Sequence, residues 1–220
     1  LYSSAASDVY KRQGISNVGI VAKSNFQSLM DHVGSGSAYD LSKRRSNLSI
    51  LPPYDGKAFS SFVETIYNMH GYIEHCREEY VLISQGNVNT NIDYTDVFDF
   101  HSKKKADITL IYKNHAIPQG YDRPITLDVD NDGKVNQIFV KPGVVDKGVF
   151  NHAYGSILIK KDLLMSEIRN AISVNQLDVR RLIQSSLGKY SIYAYENKGY
   201  CAAISSINDY FEFNMDLMKK

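Results

Sequence analysis

Between Val18 and Tyr112 the chain alternates short continuous apolar runs with segments whose apolar residues recur every three or four positions. That alternation is the strongest constraint on its fold. The clearest instance is Ser60 to Cys76, where Phe62, Ile66, Met69, Ile73 and Cys76 make one helical stripe. The uninterrupted run Tyr80 to Ser84 follows, a pattern expected of a strand buried on both faces. Val18 to Ala22 reads as a strand and Phe26 to His32 as a short helix stopped by Gly34-Ser35-Gly36. Ser37 to Lys57, with Pro52-Pro53, reads as a long polar loop. Thr95 to Lys105 is expected to be a helix capped by Asp93 or Thr95, with lysines in its last turn, and Asp107 to Tyr112 a strand. Strand, helix, strand, helix, strand implies right-handed crossovers and an α/β fold: a mostly parallel sheet with helices on both faces.

The texture then changes. Ile125 to Val129 and Val135 to Val140 flank Asn131-Asp132-Gly133, an antiparallel hairpin insertion whose turn is expected to need positive φ at two positions. After Lys141-Pro142-Gly143 come a strand at Ser156 to Ile159, helices at Lys161 to Ile172 and Leu177 to Leu187, and strands at Ser191 to Tyr195 and Tyr200 to Ile204. Asp209 to Met218 closes as a helix. No internal repeat or low-complexity segment is visible.

Composition narrows the function classes. The 220 residues are 43% hydrophobic and 22% charged, enough for a buried core in one large domain or one and a half small ones. Net charge is +1, which leaves no electrostatic footprint for nucleic acid. Lys43-Arg44-Arg45 and Lys103-Lys104-Lys105 are short runs that read as solvated charge. No apolar run approaches the roughly 18 residues a membrane span requires, and no secretory signal is present. Two distant cysteines, Cys76 and Cys201, fit a cytoplasmic protein with packed thiols. Leu1 to Gln13 are small and polar without period; they read as a foreign segment, or else as a disordered natural arm.

Several motifs fail on inspection. Asp128, Asp130, Asp132 and Gly133 match the start of a calcium loop, but its twelfth position is Phe139 and its flanks are strand-like. His32, His70, His75, His101, His115 and His152 have no metal-ligand spacing. No Gly-rich phosphate fingerprint or nucleophile elbow appears. Ligands of such sheets sit beyond the carboxyl ends of strands, which directs attention to Gln85-Gly86-Asn87.

Taken together, five segments resemble the bacterial ADP-glucose pyrophosphorylase (glucose-1-phosphate adenylyltransferase) family. They are Gly14 to Val21, Ser28 to Gly36, Val81 to Tyr94, Lys104 to Thr109 and Ile207 to Leu217. The nearest likeness is to its GlgD-type, non-catalytic subunit. The resemblance implies a Rossmann-like, GT-A-like nucleotide-diphospho-sugar transferase domain. Active members join ATP and glucose 1-phosphate in glycogen biosynthesis, with magnesium as cofactor. Residues 14–220 would then form a partial nucleotidyltransferase domain. The family's first strand and Gly-rich loop are expected before it and a left-handed β-helix after it, so the isolated chain is expected to be unstable.

Site residues carry over one at a time. Where the family has Ala-Gly-Asp, this chain has Gln85-Gly86-Asn87. The second metal-binding aspartate of the family falls on Ala203. Lys141 retains the lysine that meets the sugar phosphate, while the glutamate before it is replaced by Val140. Gly-Thr-Ala-Asp-Ala becomes Ser61 to Thr65, and Asp-Phe-Gly-Lys-Asp becomes Leu177 to Arg181. Two carboxylates that would hold a divalent cation are thus a neutral amide and a methyl group. The resemblance implies a catalytically silent, regulatory chain that expects no metal of its own. It would pair with a catalytic subunit in a hetero-oligomer, with Gly86 and Lys141 left to contact a sugar phosphate or nucleotide. The alternatives are an active nucleotidyltransferase that takes substitute ligands from Asp93 or Glu196, and a binding scaffold unrelated to glycogen.

Overall fold

The computed structural model describes residues 15–21, 31, 47–51, 61–116, 124–140, 148–204 and 206–218. In chain order the elements are β1 (Asn17–Val21), β2 (Asn47–Leu51), α1 (Phe62–Asn68), α2 (His70–His75), β3 (Tyr80–Ile83), β4 (Val88–Thr90), α3 (Tyr94–Lys104) and β5 (Ile108–Ala116). They continue with β6 (Ile125–Val129), β7 (Val135–Val140), β8 (Val149–Lys160), α4 (Lys161–Ser173), α5 (Val179–Ser185), β9 (Ile192–Glu196), β10 (Cys201–Ala203) and α6 (Ile207–Met218). The chain divides into two compact units, Leu1–Glu78 with Leu164–Val179, and Glu79–Leu163 with Arg180–Lys220. Among the described residues no helix is long and apolar enough to cross a membrane.

In the first unit β1 and β2 pair in parallel, Asn17 opposite Asn47. Glu78 accepts hydrogen bonds from Ser16 Oγ and, at 2.6 Å, from Asn17 Nδ2. The Ser16 bond is the main reason its carboxyl titrates below the usual range. Ser61 caps α1 by accepting from the Glu64 N–H at 3.1 Å, and its hydroxyl donates to the Glu64 carboxylate at 3.0 Å. Of the apolar stripe read over Ser60 to Cys76, Ile66, Met69 and Ile73 are buried, while Phe62 and Cys76 are half-buried and Val63 is buried in addition; the stripe lies on two helices that break at Met69.

The second unit is organised around β8. One edge of β8 pairs antiparallel with the whole of β5; the other pairs with β6 at His152–Ala153 and with β3 at Ile157–Lys160. The β5 register shifts between Ile111 and Tyr112, so Tyr154 and Gly155 are skipped, and Gly155 adopts φ +77°. This bulge separates the β6-paired half of β8 from the β3-paired half. The strand order is β7-β6-β8-β5-β9. At the hairpin tip the Ala194 N–H donates to Gly133 O at 2.7 Å and Lys134 bridges Tyr193, which brings β7 back to β9. Helix α3 covers β5 and β9. His101 is buried, its Nδ1 2.8 Å from Thr109 Oγ1, and Phe100 lies edge-on to Tyr195 at 5.5 Å. Asp93 is the cap of α3, accepting from the Thr95 N–H at 2.8 Å.

The α/β class stands, but the sheet is mixed rather than mostly parallel. Among the described ladders only β1–β2 and β5–β9 are parallel. The reason is β8, a twelve-residue strand that runs antiparallel to each of its neighbours. Its early half, Val149–Gly155, interrupts Val149, Phe150 and Tyr154 with polar and small residues, so no unbroken apolar run marks the strand. The expected loop Ser37 to Lys57 contains β2, which is marked by Leu48, Ile50 and Leu51. Strand β3 is half-buried along its length rather than sealed on both faces. The hairpin formed as expected, yet of its turn residues only Gly133 has positive φ (+85°). Asp130 closes a longer loop instead, its Oδ1 accepting from the N–H groups of Asp132 and Lys134, both at 2.9 Å. Residues 1–13, the Gly34–Gly36 stop, Pro52-Pro53 and all of Phe26 to His32 except Asp31 lie outside the described residues.

Two predictions follow from this architecture. His152 is fully buried, and burial, reinforced by the neighbouring His115, lowers its pKa to about 4; burial lowers that of His101 as well. The unfolded chain therefore binds more protons below about pH 6.5, and stability falls as pH drops from there toward about 4. The expected loss from His152 is about 3 kcal/mol, read by urea unfolding across that range; His152→Leu should flatten the slope. In the second case, a Cβ at Gly155 would strike the side chain of Gln85 while holding a left-handed φ. Gly155→Ala should cost roughly 1–3 kcal/mol. Adding Gln85→Ala should recover the steric part only, which thermal melts of the two variants will resolve.

Candidate functional site

The chain leaves β3 through the turn Gln85-Gly86-Asn87 and returns as β4, which pairs antiparallel with β10 to form a short ribbon. Ala203 stands opposite Val88, Ala202 opposite Asn89 and Cys201 opposite Thr90. The ladder extends one step at each end, with Ile204 N–H donating to Asn87 O at 2.8 Å and Asn91 N–H to Tyr200 O at 2.8 Å. The Asn87 amide nitrogen also donates to Ile204 O at 3.4 Å. Asn87 and Ala203, some 116 residues apart in sequence (203 less 87), thus occupy the same end of one ribbon, a single ladder step from each other.

The turn is held from below. Ser84 and Ser156 hydroxyls meet at 3.2 Å, and the Gln85 side chain crosses Gly155 in the space that a Cβ would fill. Gly86 is exposed, with open space before it. Lys141 lies outside the described residues. Asp93 and Glu196 lie beyond the opposite end of the ribbon. Asn87 and Thr90 are three strand steps apart, roughly 10 Å, and Asp93 is further on and committed to capping α3. Ser61 to Thr65 opens α1, where Ser61 and Glu64 serve as its cap.

Among the described residues of the turn and the ladder at this end, the side-chain oxygens are the uncharged ones of Asn87, Gln85 and Ser84, and Ala203 offers none. Magnesium requires hard, preferably anionic oxygens in near-octahedral array, and this donor set does not fit it. Among the described residues no group of three or more His, Cys, Asp or Glu gathers to hold a metal. Burial pushes the Cys201 thiol up to about 11, against a smaller opposing pull from Lys113, which disfavours its thiolate. Tyr200 is likewise raised, by burial first and then by Asp216, whose carboxylate accepts from its hydroxyl at 3.5 Å. Sequence reasoning identified the turn and the Ala203 strand, but not β4. Val88-Asn89-Thr90 is too short and polar to signal a strand, and its pairing is visible only in three dimensions.

No protein-family model matches the chain. Curated relatives do. It is 28% identical over 215 residues to a glucose-1-phosphate adenylyltransferase of Clostridium acetobutylicum, with 93% of this chain and 55% of the relative covered. It is 28% identical over 221 residues to that of Bacillus subtilis, with 94% and 56% covered. The chain therefore spans about half the length of the curated relatives it matches. Among solved structures, a protein of Bacillus anthracis assigned as a glucose-1-phosphate thymidylyltransferase, in complex with sucrose, superposes with a TM-score of 0.72 at 12% identity, covering 96% of this chain and 80% of that one. HddC from Yersinia pseudotuberculosis gives 0.65 at 14% identity, covering 96% and 82%. Over nearly its whole length the chain is thus a sequence relative of the glucose-1-phosphate adenylyltransferases, and it shares its fold with a sugar-phosphate nucleotidyltransferase.

Proposed function

We propose that this chain is the nucleotidyltransferase-like part of a regulatory, catalytically silent subunit of glucose-1-phosphate adenylyltransferase. It acts in glycogen biosynthesis by tuning a catalytic partner subunit. The observation that carries this reading is the placement of Asn87 and Ala203 at one end of the β4–β10 ribbon. The resemblance puts two magnesium-binding aspartates at those positions, and their convergence supports the residue-by-residue match. Nucleotidyl transfer needs no covalent work from the protein; it needs two anions to be positioned and screened. A neutral amide and a methyl group leave that screening undone. What such a chain retains is the shape of a sugar-phosphate or nucleotide pocket, with Lys141 as a phosphate-binding point charge, and a surface for a catalytic subunit.

Pyrophosphate release separates silence from activity. With ATP, glucose 1-phosphate and magnesium, the full-length protein alone should turn over at least ~100-fold more slowly than a catalytic relative, as expected when oxyanion- or metal-type stabilisation is removed. Asn87→Asp with Ala203→Asp should raise its magnesium-dependent rate. Mixed with a catalytic subunit, the unaltered protein should shift that subunit's apparent affinity for substrate or effector. Robust turnover by the unaltered protein would end this reading and favour substitute ligands such as Asp93 or Glu196.

A further inference from the structure

Helix α6 turns its apolar face outward. At 3.6 residues per turn, Leu217, Tyr210, Ile207, Met218, Phe211 and Met215 fall within one arc of roughly 160°. All six are exposed, Ile207 at 86%, Met218 at 71% and Phe211 at 63%. Asn214 lies inside that arc and donates its amide to Tyr210 O at 2.6 Å. The side that α6 turns inward is narrower and more polar. Phe213 is its buried residue, 6.1 Å from the Tyr200 ring, and Asp216 accepts from the Tyr200 hydroxyl at 3.5 Å. The helix starts on a reciprocal cap, with Asp209 accepting from the Ser206 N–H at 2.8 Å and Ser206 Oγ accepting from the Asp209 N–H at 3.1 Å. A helix of twelve residues is marginal by itself and is normally stabilised by packing its apolar face.

Charge and size together select the occupant of this stripe. Between Ile207 and Met218 the charged residues are Asp209, Glu212 and Asp216, all acidic, and Lys219-Lys220 follow directly. Glu212 is exposed and flanks the stripe. A second α6 laid antiparallel brings its two lysines toward this Glu212, and its own Glu212 toward the first copy's lysines. With Phe211 packed on the other copy's Met218, Glu212 lies less than one helical turn from that copy's Lys219. The two macrodipoles then oppose each other favourably. A parallel copy would set acid beside acid and base beside base. The helix therefore complements itself in one orientation. Its stripe offers about 600 Å² per copy, which exceeds a scatter of single exposed side chains and suits the lower end of reversible interfaces. Met215 and Met218 are flexible enough to fit such a seam.

We propose that α6 pairs antiparallel with α6 of a second copy of this chain through Ile207, Phe211, Met215 and Met218, with Glu212 of each copy facing the Lys219-Lys220 end of the other. The pairing does not depend on whether the Asn87–Ala203 end is silent. Sedimentation velocity of the full-length protein over about 1–100 μM tests it, with reversible association expected at a dissociation constant of order 10 μM. Phe211→Asp with Met215→Asp should weaken association at least ~10-fold while leaving the unfolding midpoint of the dissociated protein in place, because both residues are exposed. Lys219→Glu with Lys220→Glu should also weaken it, most at low salt, and adding Glu212→Lys should restore it. Neither a parallel pair nor unspecific apolar adhesion predicts that rescue. The inference is overturned by a monomer up to about 100 μM, by association indifferent to Phe211 and Met215, by failure of the charge exchange to restore pairing, or by association that occurs only with a catalytic subunit.

Discussion

The second unit depends on one strand changing partners midway. β8 keeps β5 along one edge throughout, while the other edge passes from β6 to β3. A strand of regular pleat would hold a single neighbour on that edge. The skipped pair Tyr154–Gly155, with Gly155 in the left-handed region, is the local kink that permits the exchange. The same missing Cβ lets Gln85 cross, so the turn bearing Gly86 and Asn87 rests on the kink itself. Sheet topology and site position are therefore set by the same few atoms.

Much of this was legible in the sequence, for reasons that differ by element. Helix α3 and the hairpin carried strong local signals, a capping aspartate with terminal lysines in one case and Asp-Gly between β-rich runs in the other, and both appear within a residue or so of expectation. β2 was lost because only Leu48, Ile50 and Leu51 mark it in a polar stretch. Strand direction was lost because periodicity reports burial, not which neighbour runs which way. The Asn87–Ala203 pairing came from resemblance, and its convergence rests on a three-residue ladder that no local pattern announces.

Charge placement distinguishes the two ends of the ribbon. Among the described residues of the turn and ladder near Asn87, the polar groups are amides and hydroxyls with no formal charge. At the other end Lys113, Asn197 and Asp130 are spent on holding backbone. Burying Asn197 and half-burying Lys113 against one short turn costs desolvation, which their hydrogen bonds to that turn offset.

The return of the hairpin tip to β9 has a bearing on assembly. The outermost strands of the path, β7 and β9, are joined to each other through Lys134, Tyr193 and the Gly133–Ala194 bond. An exposed edge is normally a template onto which a neighbouring polypeptide adds its own strand. At the hairpin tip the backbone groups of Gly133 and Ala194 already have partners, so strand addition there would first have to break that closure.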